Sequence, residues 1–222
     1  MKKRDQIISV AKNTIETESE AIKNLATLID QSFTDAVEYI YNSNGRVIIT
    51  GIGKSAIIAN KIVATLNSTG TPSIFMHAAD AIHGDLGTIL EQDVVICISK
   101  SGNTPEIKVL VPLIKVRGNK LVAITSNKNS FLGQQADFVL NAFVEKEACP
   151  NNLAPTTSTT AQLVMGDALA VCLLDLKGFS SKDFAKFHPG GSLGKKLYLR
   201  VSDLTKINKK PVVQLNTDIK KV

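Results

Sequence analysis

The sequence predicts an α/β chain: a three-layer αβα sandwich on a five-stranded parallel sheet of flavodoxin-like order 2-1-3-4-5. Three observations predict it. Short β-rich runs alternate with helix-like stretches from Arg46 to Leu140. Right-handed crossovers then leave few topologies, of which this order is the natural one for five strands. The two turns richest in glycine and hydroxyl residues, Gly51–Ser55 and Ser99–Thr104, follow the first and third runs. Those turns flank the switch point of this order, where ligands bind beyond the carboxyl ends of the strands.

At 222 residues with 44% hydrophobic and 21% charged content, the chain is globular and long enough for one α/β domain with a sizeable core. The net charge of +6 suits an anionic ligand, but the basic residues are scattered. Their densest cluster, Lys206 to Lys210, reads as a solvated linker, so no nucleic-acid surface is expected. Cys97, Cys149 and Cys172 lack metal-ligand spacing, and Cys97 and Cys172 read as small core residues. The odd cysteine count and the lack of a secretory signal point to the cytoplasm. No apolar run approaches the about 18 residues of a membrane span.

Residues 1–29 read as one amphipathic helix, with Ile7, Ile8, Ala11, Ile15, Ile22, Leu25, Leu28 and Ile29 near a 3.6 period. A helix this long cannot bury its whole stripe on one small domain, so it is expected to pack on a neighbouring subunit as well. A second helix is predicted over 33–41, with Ser32 as N-cap. Strands are predicted at 46–50, 73–76, 93–98, 120–125 and 137–140. Helices are predicted at 55–67, 105–116 and 129–136, with a polar crossover from His77 to Leu86 that holds a short helix. A proline-bracketed loop, 145–155, leads through Thr156–Thr160 into an apolar helix, 161–176. A short helix, 180–187, precedes the turn His188–Gly194. The expected organisation is N-terminal helices at 1–42, the α/β domain at 43–203 and a tail or linker at 204–222.

In Ser99-Lys100-Ser101-Gly102-Asn103-Thr104, hydroxyls, a glycine and a helix-capping threonine sit where a buried strand becomes a helix, which makes a phosphate cradle of Ser99, Ser101 and Thr104. The turn Gly51-Ile52-Gly53-Lys54-Ser55-Ala56 satisfies a dinucleotide fingerprint, but no acidic residue ends the second strand. Ile48 stands where a P-loop needs glycine. A sugar-phosphate site is preferred to both, with Lys54 as a mobile cation beside Gly53 and Ser55. Five hydroxyl residues, Thr156 to Thr160, exceed what one N-cap needs. They read either as donors to an anion or polyol, Thr157 among them, or as a cap plus solvated turn. His83 and His188 lie on polar and glycine-rich turns. For His188 proton transfer is favoured; for His83, substrate contact, proton transfer and an adventitious metal site stay open. Glu147 reads either as a loop charge or as a site carboxylate. By pattern alone Glu106 stabilises the positive end of its helix.

Seven stretches, taken together, carry a resemblance. They are Thr50–Ser55, Ala81–Gly87, Ile98–Gly102, Lys146–Pro150, Leu153–Thr160, Met165–Ala170 and His188–Gly194. The chain resembles the sugar isomerase (SIS) domain family and, more closely, the arabinose 5-phosphate isomerases of Gram-negative bacteria, in order up to about Asp203. The resemblance implies interconversion of D-arabinose 5-phosphate and D-ribulose 5-phosphate through an enediolate, supplying 3-deoxy-D-manno-octulosonate for lipopolysaccharide or capsule. It implies that Lys54, Glu106, Glu147 and His188 are the active-site lysine, glutamates and histidine. Glu147 is expected as the C2/C1 base, His188 in ring opening and oxygen proton transfer, and Lys54 beside the developing enediolate charge. No cofactor and no metal are expected. A homotetramer with sites near subunit interfaces is implied. Many relatives continue into a pair of CBS domains, which would begin after Leu204; the chain is expected to be either a naturally short member or a truncated one, and without that pair feedback by a downstream nucleotide sugar is expected at the site itself. Two alternatives remain: a non-catalytic sugar-phosphate-binding module, and an isomerase of another phosphosugar.

Overall fold

The computed structural model describes residues 3–198 together with Arg200, Ser202 and Asp218. The predicted tail, 204–222, lies outside the described residues except for Asp218. Two units are distinguished, residues 1–179 and residues 180–222.

The first unit begins with α1 (Lys3–Leu25), which passes through a short 3-10 turn (Ala26–Leu28) into α2 (Gln31–Asn42). The expected first helix thus ends at Leu25. Only Leu25 of α1 is buried, while Ile7, Ile8, Val10 and Ile15 are exposed. The predicted cap of α2 is corrected. Asp30, not Ser32, is the N-cap, and its carboxylate accepts from the Phe33 N–H. Ser32 Oγ instead accepts from Val139 N–H at 2.7 Å, tying α2 to the last strand.

Then follow β1 (Val47–Gly51), α3 (Lys54–Ser68), β2 (Ser73–His77), α4 (Ala78–Ala81), β3 (Val94–Ile98), α5 (Pro105–Val116), β4 (Lys120–Thr125), α6 (Phe131–Gln135), β5 (Phe138–Asn141) and α7 (Thr157–Leu176). The strands form one parallel sheet in the order β2-β1-β3-β4-β5, as the sequence predicts. β1 and β3 are fully buried, as strands covered by helices on each side must be. Alternate strand residues supply two cores. Val47, Ile49, Val94, Ile96, Ile98, Val122 and Ile124 pack with α2, α3 and α7. Ile48, Val95, Cys97, Leu121 and Ala123 pack with α4 and α5. Burial pushes the Cys97 thiol up to about 12, as for an inert core residue. Asp93 anchors the start of the β1–β3 pair by accepting from the Arg46 backbone N–H and guanidinium.

Two more expectations are corrected at α7. It starts at Thr157, not Ala161, so four of the five hydroxyl residues lie inside the helix. It is also long and apolar enough, by length and composition, to cross a membrane. Here Ala161, Met165, Leu169, Ala170 and Leu173 enter the core, and Lys61 on α3 pairs with its Asp167 at 2.6 Å. The interspersed hydroxyls and Asp167 hide that apolarity from a search for unbroken runs.

In the second unit, Ser180 and Asp183 form a capping box at the start of α8 (Ser181–Phe187). A helix the sequence did not suggest, α9 (Ser192–Tyr198), follows the glycine turn. The glycines before and within it mask its signal.

Candidate active site

The carboxyl ends of β1 and β3 diverge at the switch point, and a cleft of about 280 Å³ opens there. Lys54 and Ser55 of α3 line one side, and Ser99, Lys100, Ser101 and Thr104 of the β3–α5 loop line another. Pro155, Ser158, Thr159 and Gln162 close it from α7 and the loop before it. Five of the predicted residues, Lys54, Ser55, Ser99, Ser101 and Thr104, therefore meet at one cleft.

The β3–α5 loop has a defined shape for local reasons. Gly102 takes φ +64°, and a Cβ there would collide with the Ser130 side chain, so both conformation and space require glycine. Its N–H donates to Ser99 Oγ at 3.1 Å. The Lys100 carbonyl accepts from Ser126 N–H and Thr125 Oγ1, which pins the loop backbone to the end of β4. Pro105 opens α5, whose positive end faces the loop. Thr104 occupies the N-cap position but does not cap: its Oγ1 makes no cap bond and is buried without a partner. An orphaned buried hydroxyl costs about 1–3 kcal/mol.

Across the cleft, Gly53 starts α3 at φ +59°, in open space. Lys54 is exposed and has no ion-pair partner among the described residues. Ser55 Oγ donates to Gln162 Oε1 at 3.1 Å, and Gln162 is itself buried.

Glu147 lies behind this lining, with a side chain 1% exposed. Its Oε1 accepts from Lys100 Nζ at 2.6 Å and from Ser158 Oγ. Its Oε2 accepts from Thr156 N–H at 2.8 Å, Ser158 N–H at 3.1 Å and Thr156 Oγ1 at 3.2 Å. Thr156 is the N-cap residue of α7, but its side chain makes no cap bond to the helix, and Glu147 takes over that task. Two members of the hydroxyl run, Thr156 and Ser158, thus hold a carboxylate of the chain itself. Burial raises the acid's pKa, but Lys100, Ser158 and the two backbone N–H groups outweigh it and bring it down to about 2. A carboxylate so held is a weak base as it stands.

Three further candidates, Glu106, Thr157 and His83, do not line the cleft. Glu106 is in the first turn of α5 and does not line the cleft. Thr157 is buried at the start of α7, its Oγ1 unpartnered, and does not line the cleft either. His83 is exposed between α4 and the turn at Asp85. Among the described residues no cluster of three or more His, Cys, Asp or Glu could hold a metal. His188 belongs to the second unit. It stacks on Phe184 at 3.8 Å between ring centroids, and its Nδ1 lies 2.9 Å from the Phe184 carbonyl.

Two cleft residues escape sequence reasoning. Lys100 sat within the recognised loop, but its pairing with Glu147, 47 residues on, is tertiary. Gln162 sits mid-helix with no local signal; only its contact with Ser55 marks it.

Comparison with known proteins follows the same lines. The SIS domain family matches residues 39–172. A probable arabinose 5-phosphate isomerase of Haemophilus influenzae is 48% identical over 90% of this chain and 60% of its own length. An arabinose 5-phosphate isomerase of Francisella tularensis is 49% identical over 96% of this chain and 67% of its own length. This chain thus spans about three fifths to two thirds of these relatives. A protein of E. coli CFT073, solved in complex with arabinose 5-phosphate, superposes with a TM-score of 0.81 at 40% identity, covering 85% of this chain and all of that one.

Proposed function

The chain belongs to the SIS domain family, and from that premise we propose that it interconverts D-arabinose 5-phosphate and D-ribulose 5-phosphate. The observation that carries this reading is the cleft at the switch point, which presents Ser99, Ser101 and Thr104 with Lys54 and Lys100. An anion with several acceptor oxygens satisfies that set, and a phosphate monoester does so at the positive end of α5. The relatives that bear this activity by name, and the neighbour that holds arabinose 5-phosphate, support the choice of sugar.

In this reading the phosphate anchors the substrate on Ser99, Ser101 and Thr104, and its binding energy positions the reacting end. Gly53, Ser55 and His83 are proposed as further contacts. Isomerisation removes a proton from C2 and places one on C1, while a proton passes from O2 to O1. Glu147 is proposed as the carbon base, Glu106 as a second acid-base group or partner of Lys54, and His188 Nε2 as the oxygen proton shuttle. The Lys54 ammonium stabilises the enediolate oxygen charge. No redox group is needed, because both electrons of the C2–H bond stay on the substrate carbons.

A charged phosphosugar does not cross a bilayer unaided, so a cytoplasmic enzyme is proposed. The uncovered apolar residues of α1 are proposed to pack on a second copy in a homotetramer, and feedback by a downstream nucleotide sugar is proposed at the cleft itself. The product is proposed to supply 3-deoxy-D-manno-octulosonate. A panel of arabinose, hexulose and sedoheptulose phosphates tests the reading. Conversion of arabinose 5-phosphate well ahead of the others is expected, and preference for another phosphosugar overturns the substrate assignment.

A further inference from the structure

We infer that Lys100 is a positioning residue operated by the substrate's phosphate: an anion seated on the β3–α5 loop draws the Lys100 ammonium off Glu147 and so frees that carboxylate to act. The inference rests on the proposed isomerase reading for its purpose, but not for its test.

Four observations carry it. First, Lys100 belongs to two sites at once. It lines the cleft between Ser99 and Ser101, and its Nζ is 2.6 Å from Glu147 Oε1. Second, the ends of that ion pair are unequal. The Lys100 side chain is 45% exposed and the Glu147 side chain 1% exposed. The lysine is therefore the end that can swing towards solvent while the carboxylate stays where it is. Third, the Lys100 backbone is pinned by Ser126 N–H and Thr125 Oγ1, so movement is confined to a flexible four-carbon stem. Fourth, Glu147 is not abandoned when Lys100 leaves. Ser158 Oγ, Thr156 Oγ1 and two backbone N–H groups remain on it.

The electrostatics follow. Lys100 is the only charged group in contact with Glu147 among the described residues; the neighbouring Thr156 and Ser158 are neutral donors. The other cation of the cleft, Lys54, reaches it from α3. Two anions then compete for one ammonium. A phosphate that takes Lys100 leaves a buried carboxylate with neutral donors only, and desolvation, the largest influence on it, raises its proton affinity. Glu147 is a weak base while Lys100 holds it and a stronger one once the anchor is filled. A sugar without a phosphate gains neither anchor nor base.

Linkage makes the coupling reciprocal, which supplies a test that needs no turnover. The probe is inorganic sulfate, a phosphate mimic that is doubly charged at neutral and mildly acidic pH. Its affinity is measured by calorimetry at neutral pH for the full chain and for Glu147→Gln, Lys100→Gln and the double variant, each checked for native circular dichroism. Removing the competing carboxylate should tighten sulfate binding several-fold in Glu147→Gln. Lys100→Gln should weaken it about tenfold, as expected for loss of one close charge pair, and the double variant should match Lys100→Gln. Equal or weaker binding in Glu147→Gln overturns the inference, as does unchanged binding in Lys100→Gln. A second measurement needs no variant fold at Glu147: carboxyl carbon NMR of the wild-type chain, titrated with and without sulfate. Sulfate should move the Glu147 midpoint up by about one pH unit, and by much less in Lys100→Gln. An unmoved midpoint overturns the inference. Failure to isomerise arabinose 5-phosphate would remove the activity while leaving these binding results as they are, so the two failures are distinguishable.

Discussion

Glutamine at position 147 keeps the shape of the buried carboxylate and removes its charge, so Glu147→Gln measures what that charge contributes to the fold. The carboxyl sits at about 2 in the folded chain against 4.5 in the open one, with its side chain 1% exposed. A folded pKa below the unfolded value means stability that is present above pH 4.5 and lost as pH falls towards 2. The difference corresponds to about 3 kcal/mol at pH 7 and about 1 kcal/mol at pH 3. The variant also turns an amide N–H₂ towards groups that are themselves donors, which adds to the loss. Urea unfolding followed by circular dichroism at pH 7, 5, 4 and 3 gives both curves. The expected result is a gap of about 3 kcal/mol at neutral pH that narrows steadily below pH 5. A gap that is the same at every pH, or smaller than about 1 kcal/mol at pH 7, would refute the account of Glu147 as the ionised cap of α7.

Three further outcomes follow from the cleft. Thr104→Val removes the orphaned hydroxyl; phosphate affinity should fall several-fold while thermal stability holds or rises, because an unpaired buried polar group is gone, and a stability loss without an affinity loss argues against an anion contact. Gly102→Ala places a methyl group on Ser130 Oγ at a left-handed position; a loss of at least about 1–2 kcal/mol in urea unfolding is expected, together with weaker phosphate binding, and a silent substitution would mean that the loop adapts freely. His188→Ala should cut turnover roughly a hundredfold or more if Nε2 shuttles protons, with sulfate affinity unchanged; near wild-type turnover removes His188 from the mechanism.

The parts of this molecule legible in the sequence are those whose signals are local. Strand order followed from alternation and crossover handedness. The β3–α5 loop was legible because glycine, serine and threonine crowd a turn of five or six residues. Lys54 stood out for the same reason, beside Gly53. Helix starts were less legible, since Asp30 and Ser32 are both good caps and only the contact of Ser32 with Val139 decides between them. The onset of α7 was hidden because hydroxyl residues favour caps over helix interiors, a preference that burial of Thr157 and Ser158 overrides. The state of Glu147 was not legible at all. Its Lys100 partner lies 47 positions away, and its depressed pKa arises from donors that only the folded loop brings together.

The cleft is proposed to move a proton between adjacent carbons of a phosphosugar. The most direct measurement is proton NMR of D-arabinose 5-phosphate incubated with the purified chain in deuterated water. D-ribulose 5-phosphate carrying solvent deuterium at C1 is expected, with loss of the C2 proton signal of the aldose. Aldose recovered unchanged, its C2 proton intact, from a chain that still binds inorganic phosphate would contradict the isomerase and leave a sugar-phosphate-binding module.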